Sequence, residues 1–466
     1  MFLSNRSLRS LAVILASLVF LAAGLTIAQE SAPASQATTR ATSNPAFAPW
    51  DHNSVQPAPA IPANKLPPVT TQPGDGQTEA VYRAAIAWFD KAIEDADKLV
   101  PAAEMTASGI LDGGHIYATG SRGLAQELYG RAGGFSYAIL TEYQQEKLNK
   151  NDTLLMMMPT PRDENPIESD LPTLSYGGGW RIPGTVVHIA GHDWTYLKRI
   201  MPYVNKEAWQ GRLHLIDDHS PEGGSWANVS LRQMAAAATA WAFCGEVFAA
   251  ASRKGKTLAT LGSDVEPNGP AWDKSCETLH VNERFTVAPI PPGQTARKYY
   301  RICQKQIIDF LESGQASQVR VAAQRLDETF DRGNACLVLI RGHIHPRASI
   351  IPRELPGMVI IGRPWEWRPR KQQLQSGDML LHVGYLAYPR QDVYDAIAAG
   401  ANVITMASAT GPTDERRTHI QETWTDWDSV VDVDGLPVRI LPSSGVVQTP
   451  LWYALMAETI QAQKKP

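Results

Sequence analysis

Charge of either sign is scarce in this chain, and so is cysteine. Of 466 residues, 43 are Lys or Arg and 47 are Asp or Glu, a net charge of −4. No polycation is present to hold nucleic acid, and so weak a field selects no charged partner. The four cysteines, Cys244, Cys276, Cys303 and Cys336, include no close pair and no metal-type spacing. Cys244 and Cys336 lie in apolar segments and read as buried free thiols. If the chain is exported a disulfide is permitted, and Cys276 with Cys303 is the pair it would join.

What the chain does have begins with a targeting segment. Arg6 and Arg9 precede an uncharged, largely apolar run from Ser10 to Ala28, and Thr26 and Ala28 suit cleavage before Gln29. The run is also close to the roughly 20 residues that span a bilayer, so an uncleaved anchor is the alternative. Either way the bulk of the protein is expected outside the cytoplasm, periplasmic or secreted, or anchored and facing away from it. No cysteine near the cleavage point marks a bacterial lipoprotein. From Glu30 to about Gly76 the composition of Ala, Pro, Ser, Thr and Gln has no period and reads as a disordered linker.

The stretch Ser376–Ser408 organises the rest. Met379 to Val383 is an apolar run entered through Gly377 and Asp378; Val393, Ile397 and Ala398 fall at helical spacing; Gly400 closes the helix before a second apolar run, Val403 to Met406. Two strands joined by one covering helix predict a parallel, right-handed crossover. Small ligands of such sheets sit beyond the carboxyl ends of the strands, which directs attention to Gly384–Arg390, with Tyr385, and to Ala407–Thr413. The unit recurs: PGTVVHIAGHDW matches SGDMLLHVGYLAY, and GRLHLIDDHS matches GANVITMAS. A helix over Glu79–Leu99, which Pro101 stops or kinks, precedes Asp112-Gly113-Gly114, as a long helix over Thr295–Phe330 precedes Asp331-Arg332-Gly333. Tryptophan-bearing helices, Leu231–Ser252 and Val446–Ala462, close the two copies. The spacing predicts two domains of one α/β fold, residues 77–268 and 282–464, after a segment 1–29 and a linker 30–76.

These residues carry a resemblance. ASGILDGGHIYATGSRGLAQELYGRAGGF resembles the opening of the sugar isomerase, or SIS, fold, and in particular an uncharacterised bacterial branch of it. LVLIRGHIHPRA is similar to the Gly-His-x-His loop of that branch, SGDMLLHVGY to its Gly-Asp strand, and FCGEVFAAASRKGKTLATLGS to its closing helix. The resemblance covers most of residues 79–464. It implies two tandem three-layer α/β/α sandwiches, each with a mainly parallel sheet, a carbohydrate derivative bound between the halves, and no cofactor. One departure stands out: where sugar-phosphate-binding relatives carry a serine-rich loop, IAGHDW and VGYLAY supply no serine.

The candidate site residues follow from the chemistry of such loops. Gly120, Ser121 and Arg122 turn from strand to helix and could hold an anion on backbone N–H groups, or Ser121 could simply cap the helix. Gly342, His343, His345 and Arg347 occupy the same place in the second copy; histidine can bond sugar hydroxyls or move the proton that aldose/ketose interconversion requires. Too few residues follow His345 for the barrel in which His-x-His opens a metal site. His192 lies just past a strand end, whereas His188 and His382 sit inside apolar strands at similar places of the two copies and read as core. Glu127 is a general-base candidate or an ordinary surface acid, and Ser443 and Ser444 are hydroxyl donors at the start of the last helix or caps of it. Trp365, Trp367 and Arg368 offer a stacking surface for a sugar or a plug between the domains. The expected function is binding of a carbohydrate derivative, phosphorylated or not, with isomerase chemistry at the cleft. A non-catalytic sugar-binding or scaffold module is the first alternative and a metal-dependent hydrolase the second. The expected partners are a small ligand and a second copy in a homodimer, with no nucleic acid, and the membrane only through an uncleaved first segment.

Overall fold

A computed structural model describes residues 76–464, apart from 121, 130–132, 141–147, 158–182, 192–210, 222–224, 264–267, 277, 341–354, 356, 362–373, 385–388, 412–413 and 425–427. In chain order the elements are α1 (Gln77–Glu94), a 3-10 turn (Ala96–Leu99), α2 (Val100–Leu111), β1 (Ile116–Gly120), α3 (Arg122–Leu128), β2 (Ala138–Leu140), β3 (Thr153–Met157), β4 (Thr185–Ala190), β5 (Leu213–Asp217), α4 (Trp226–Arg253) and α5 (Gly269–Cys276). The second half contributes α6 (Gln294–Glu312), α7 (Ala316–Asp331), β6 (Cys336–Ile340), β7 (Met358–Ile361), β8 (Met379–Val383), α8 (Arg390–Ala398), β9 (Asn402–Ala407), β10 (Arg417–Gln421), β11 (Ser429–Val431), β12 (Ile440–Pro442) and α9 (Ser444–Gln463). The expected break near Pro101 is there: the first helix gives way to the 3-10 turn, which ends at Leu99, and Pro101 lies in the first turn of α2, where its missing N–H deprives the helix of nothing. One helix expectation is corrected. The pattern over Thr295–Phe330 is broken into α6 and α7 at Gly314, which takes φ +75°.

Strands β2-β1-β3-β4-β5 form one parallel sheet, and β7-β6-β8-β9-β10 form a second with the same order. The chain is therefore an α/β protein whose sheet is built twice, as expected, but the expected register of the repeat is one strand out. By position in the sheet β8 corresponds to β3, not to β4, and β9 to β4, not to β5. An aspartate at the strand entrance marks the true match. Asp152 accepts the backbone N–H of His115 at 2.9 Å and of Asn149 at 2.7 Å, and Asp378 accepts those of Ala335 at 3.0 Å and Gln375 at 2.8 Å. In both copies one carboxylate ties the start of the third strand to the start of the first.

One face of each sheet packs on a shared layer of helices, so a single apolar core runs through both halves. It holds Leu155 and Val187 from the first sheet, Val338 and Ile404 from the second, and residues of α1, α4, α6, α7 and α9 between them. The outer face of the second sheet is covered by α8 through Val393 and Ala396. Helix α4 is long and apolar enough to cross a membrane, yet that stretch is wholly buried in this core. All four cysteines are buried free thiols, which corrects the Cys276–Cys303 pairing; Cys276 instead lies 3.4 Å from the Asn282 amide.

The halves are joined by an exchange of caps. Helices α1 and α6 lie against each other antiparallel, with Tyr82 stacked on Phe310 at 4.7 Å and Trp88 edge-on to Tyr300 at 5.8 Å. Each begins with the same Gly-Gln-Thr, at 76–78 and 293–295. The amide N–H groups that open α1 and α6 need acceptors, and each helix receives one from the closing helix of the other half. Glu458 of α9 accepts from the Thr78 N–H and hydroxyl, both at 2.9 Å, while Glu246 of α4 accepts from the Gly293 and Ala296 N–H groups at 2.9 and 3.0 Å. A carboxylate there also meets the positive end of the helix dipole. Glu246→Ala strands two buried donors and is expected to lower stability by about 2 kcal/mol, with Glu458→Ala similar. The glutamine variants, which keep an acceptor oxygen, should lose less, as urea denaturation would show.

Candidate functional site

The carboxyl edges of the two sheets are where the sequence places ligand chemistry. Both end in a buried acid that the shifted repeat register had concealed. Beyond β5 stands Asp218 and beyond β10 stands Glu422; their amides donate to Ala190 and Ala407 at the ends of the neighbouring strands, at 3.2 and 3.1 Å. The side chains are buried, Asp218 at 1% exposure and Glu422 at 0%.

Glu422 sits among polar groups. The Gln448 amide, one turn into α9, donates to Glu422 Oε1 at 3.1 Å and also to the carbonyl of Gly384 at the end of β8. Among the described residues, Glu422 Oε2, Gln448 Oε1 and the hydroxyl of buried Tyr82 have no hydrogen-bond partner. Burial pushes the Glu422 carboxyl well above the usual range, which favours the neutral acid, a group able both to donate and to accept. Burial, with Glu422 nearby, also raises the Tyr82 hydroxyl. Toward the outer face, a row of side chains crosses the sheet in register: Leu339, His382, Thr405 and His419. The Thr405 hydroxyl lies 2.8 Å from His419 Nδ1, and His419 Nε2 lies 3.2 Å from Gln421 Oε1, whose amide bonds the Ser408 carbonyl at the edge. Burial lowers His419 to about 4, so its ring is neutral at neutral pH.

The first sheet has its own arrangement. Asp218 Oδ1 accepts from the Ser220 N–H at 3.0 Å and hydroxyl at 2.6 Å, yet burial outweighs these bonds and raises the acid to about 7. Trp88 donates to the Asp218 carbonyl at 2.6 Å. Next to it His219, held at φ +55°, places Nε2 2.7 Å from Asp95 at the end of α1 and Nδ1 3.1 Å from Asp217. A carboxyl near 7 is poised to take or give a proton at neutral pH.

Of the residues expected from sequence, Ser121, His192, Gly342, His343, His345, Arg347, Tyr385, Trp365, Trp367 and Arg368 lie outside the described residues. Gly120 ends β1 at the carboxyl edge with φ +112°, and a Cβ there would stand 2.0 Å from the Met157 carbonyl, so only glycine fits. Arg122 opens α3. Glu127 is not a surface acid: at 2% exposure it accepts the indole N–H of buried Trp241 at 3.2 Å. Ser443 and Ser444 are buried at the start of α9, and the Ser443 side chain makes no capping bond, in contrast to Ser225, which accepts from Asn228 at the start of α4 at 3.2 Å. His188 and His382 are both buried in strands, as expected, but in β4 and β8 they are not equivalent: the partner of His188 across the strand is Met156, which stands where His382 does in the other sheet. Asp218, Glu422 and Gln448 were missed. The signal for the two acids is the residue that ends HLIDD and THIQE, visible only once β5 is matched to β10; Gln448 has no such signal.

No family model and no curated protein sequence matches the chain. Among solved structures it is similar to the C-terminal domain of glucosamine-fructose-6-phosphate aminotransferase from Francisella tularensis, with TM-score 0.44 and 10% identity over 81% of this chain and 96% of that one. It is also similar to a protein described as sugar binding from Salmonella typhimurium, with TM-score 0.44 and 9% identity over 83% and 99%. A third, described as a phosphosugar isomerase from Silicibacter pomeroyi, has TM-score 0.38 and 12% identity over 82% and 96%.

Proposed function

We propose that the protein binds a small carbohydrate derivative, a sugar phosphate foremost, at the carboxyl edge of its two sheets and interconverts its aldose and ketose forms outside the cytoplasm. One observation carries the reading: each sheet ends in a buried carboxyl with a raised proton affinity, on the edge where ligands of parallel sheets sit. Isomerisation moves a proton between neighbouring carbons, a step that a carboxyl near 7 such as Asp218 can serve as acid or base. Among the described residues the buried oxygens Glu422 Oε2 and Gln448 Oε1 have no hydrogen-bond partner, and such acceptors suit a hydroxyl-rich guest. The descriptions of the similar structures and the SIS resemblance of the sequence agree with this ligand class. In this reading residues 77–268 and 282–464 each contribute one wall, and residues 1–29 direct the chain across the membrane.

A non-catalytic sugar-binding role is the second reading, favoured by the near-complete burial of Asp218 and Glu422. Thermal melting of the full chain against matched sugars and sugar phosphates, with and without chelator, tests both. A ligand at 100 times its dissociation constant adds about 2.7 kcal/mol, a readily visible shift. Stabilisation by sugar phosphates together with turnover that Asp218→Asn abolishes is the expected result. Stabilisation without turnover leaves the binding module, and no response to any sugar refutes both.

A further inference from the structure

At the opposite, amino edge of the first sheet, two histidines far apart in sequence meet. His115 lies immediately before β1 and His280 in the bridge between the halves; their Nε2 atoms are 3.2 Å apart, with the rings perpendicular at 87°. The backbone of each is fixed. The His115 N–H is held by Asp152 and its carbonyl by the Thr153 N–H at 2.8 Å, while the His280 carbonyl accepts from Ala259 at 2.8 Å and the neighbouring Leu279 carbonyl from the Ser136 hydroxyl at 2.5 Å. Both rings are partly exposed, so an ion could enter from solvent.

We propose that His115 and His280 form a two-histidine binding site for a divalent transition metal ion of the zinc class. Zinc–imidazole bonds are about 2.0–2.1 Å, and two nitrogens 3.2 Å apart then subtend about 100° at the ion, close to a tetrahedral edge. The other ring nitrogen of His115 lies 3.7 Å from Asp152 Oδ1, beyond hydrogen-bond distance, so a carboxylate stands near the ring without bonding it. Among the described residues no third His, Cys, Asp or Glu joins the pair, so water completes the coordination. The ion would tie the inter-half bridge to the first sheet.

The test is calorimetric titration of the full chain with Zn2+ near pH 7.5, beside His115→Ala and His280→Ala. One equivalent should bind to the wild type, and each variant should lose more than about 100-fold in affinity, beyond the 10–100-fold that outer-layer partners account for, while melting like the wild type in chelator. Failure of the wild type to bind, or zinc binding retained by both variants, overturns the proposal. Should a variant not fold, the electron paramagnetic resonance spectrum of the wild type with Cu2+ decides: two coordinated imidazole nitrogens are expected, and one or none would mean that the pair shares only an N–H···N hydrogen bond.

Discussion

Replacing Trp241 with alanine is expected to lower the unfolding free energy by about 3–5 kcal/mol. The side chain is 0% exposed and lies midway along α4, the helix that supports both halves of the core, so its removal leaves a cavity that the packed helices around it cannot close. The change also removes the indole N–H from Glu127 Oε1, and a buried acceptor left short of its bond costs about 1–3 kcal/mol in its own right. Two further variants separate these contributions. Trp241→Phe keeps most of the volume and loses the donor, so it should fall well short of the alanine cost. Glu127→Gln keeps an acceptor oxygen and should be the mildest of the three. Urea denaturation measures all of them. Because one apolar core serves both halves, the wild type should unfold in a single transition, and two separated transitions would contradict that description.

The second large effect is on pH dependence. Burial raises Asp218 to about 7 in the folded protein, against an ordinary carboxyl near 4, and it also raises Glu422 well above its usual range. Between those values the folded state holds a proton that the unfolded chain has released. The stability Asp218 contributes is therefore complete below about pH 4 and is lost as pH rises toward 7, on the order of 4 kcal/mol in all. Asp218→Asn should remove this decline, and Glu422→Gln removes a contribution of the same sign, so both variants gain on the wild type in alkaline solution. His419 acts with the opposite sign. Its affinity for a proton is lowered to about 4 in the fold, so stability is lost as pH falls from about 6.5 through 4. Asp218→Asn should thus show the acid-side loss more steeply than the wild type does. Thermal or urea unfolding from pH 4 to 9 checks each slope, and a wild-type curve that rises steadily from pH 5 to 8 would contradict the buried neutral acids.

Much of the fold was legible because central parallel strands are unbroken apolar runs with sharp glycine-rich entrances. Met379–Val383 falls where the residues place it, and so do the crossover and the doubled sheet. The same physics explains the slip in register. A strand buried on both faces reads as Val, Leu and Ile whether it is third or fourth in the sheet, and a histidine within each of VVHIAG and LLHVGY deepened the likeness. What separates them is the entrance aspartate, whose partners lie at the start of a different strand. The edge strands β2, β7 and β10 were missed, whereas the edge strand β5 was read, and β10 shows why. In β10, Arg417, His419 and Gln421 alternate with buried Thr418 and Ile420, a half-polar pattern that blends with loop sequence. The acids at the site were missed because an Asp or Glu past a strand end ordinarily faces water, and only packing by α1, α6 and α9 from elsewhere in the chain buries these two. The exchanged caps have a legible half, Gly-Gln-Thr at 76–78 and 293–295, while the glutamates that answer them lie in helices of the other half.

A carbohydrate derivative is proposed to occupy the carboxyl edge of the sheets. Backbone hydrogen exchange of the full chain, with and without a saturating sugar phosphate, tests it most directly, because local protection reports where a ligand orders the backbone. Slowed exchange is expected at Gly384, Ala407–Ser408, Gln421–Glu422 and the start of α9 at Ser444–Gln448, with the matching edge at Asp218–Ser220. Protection confined to the amino edge around His115, or to the shallow cleft between Val287–Pro291 and Val431–Asp434, would contradict it.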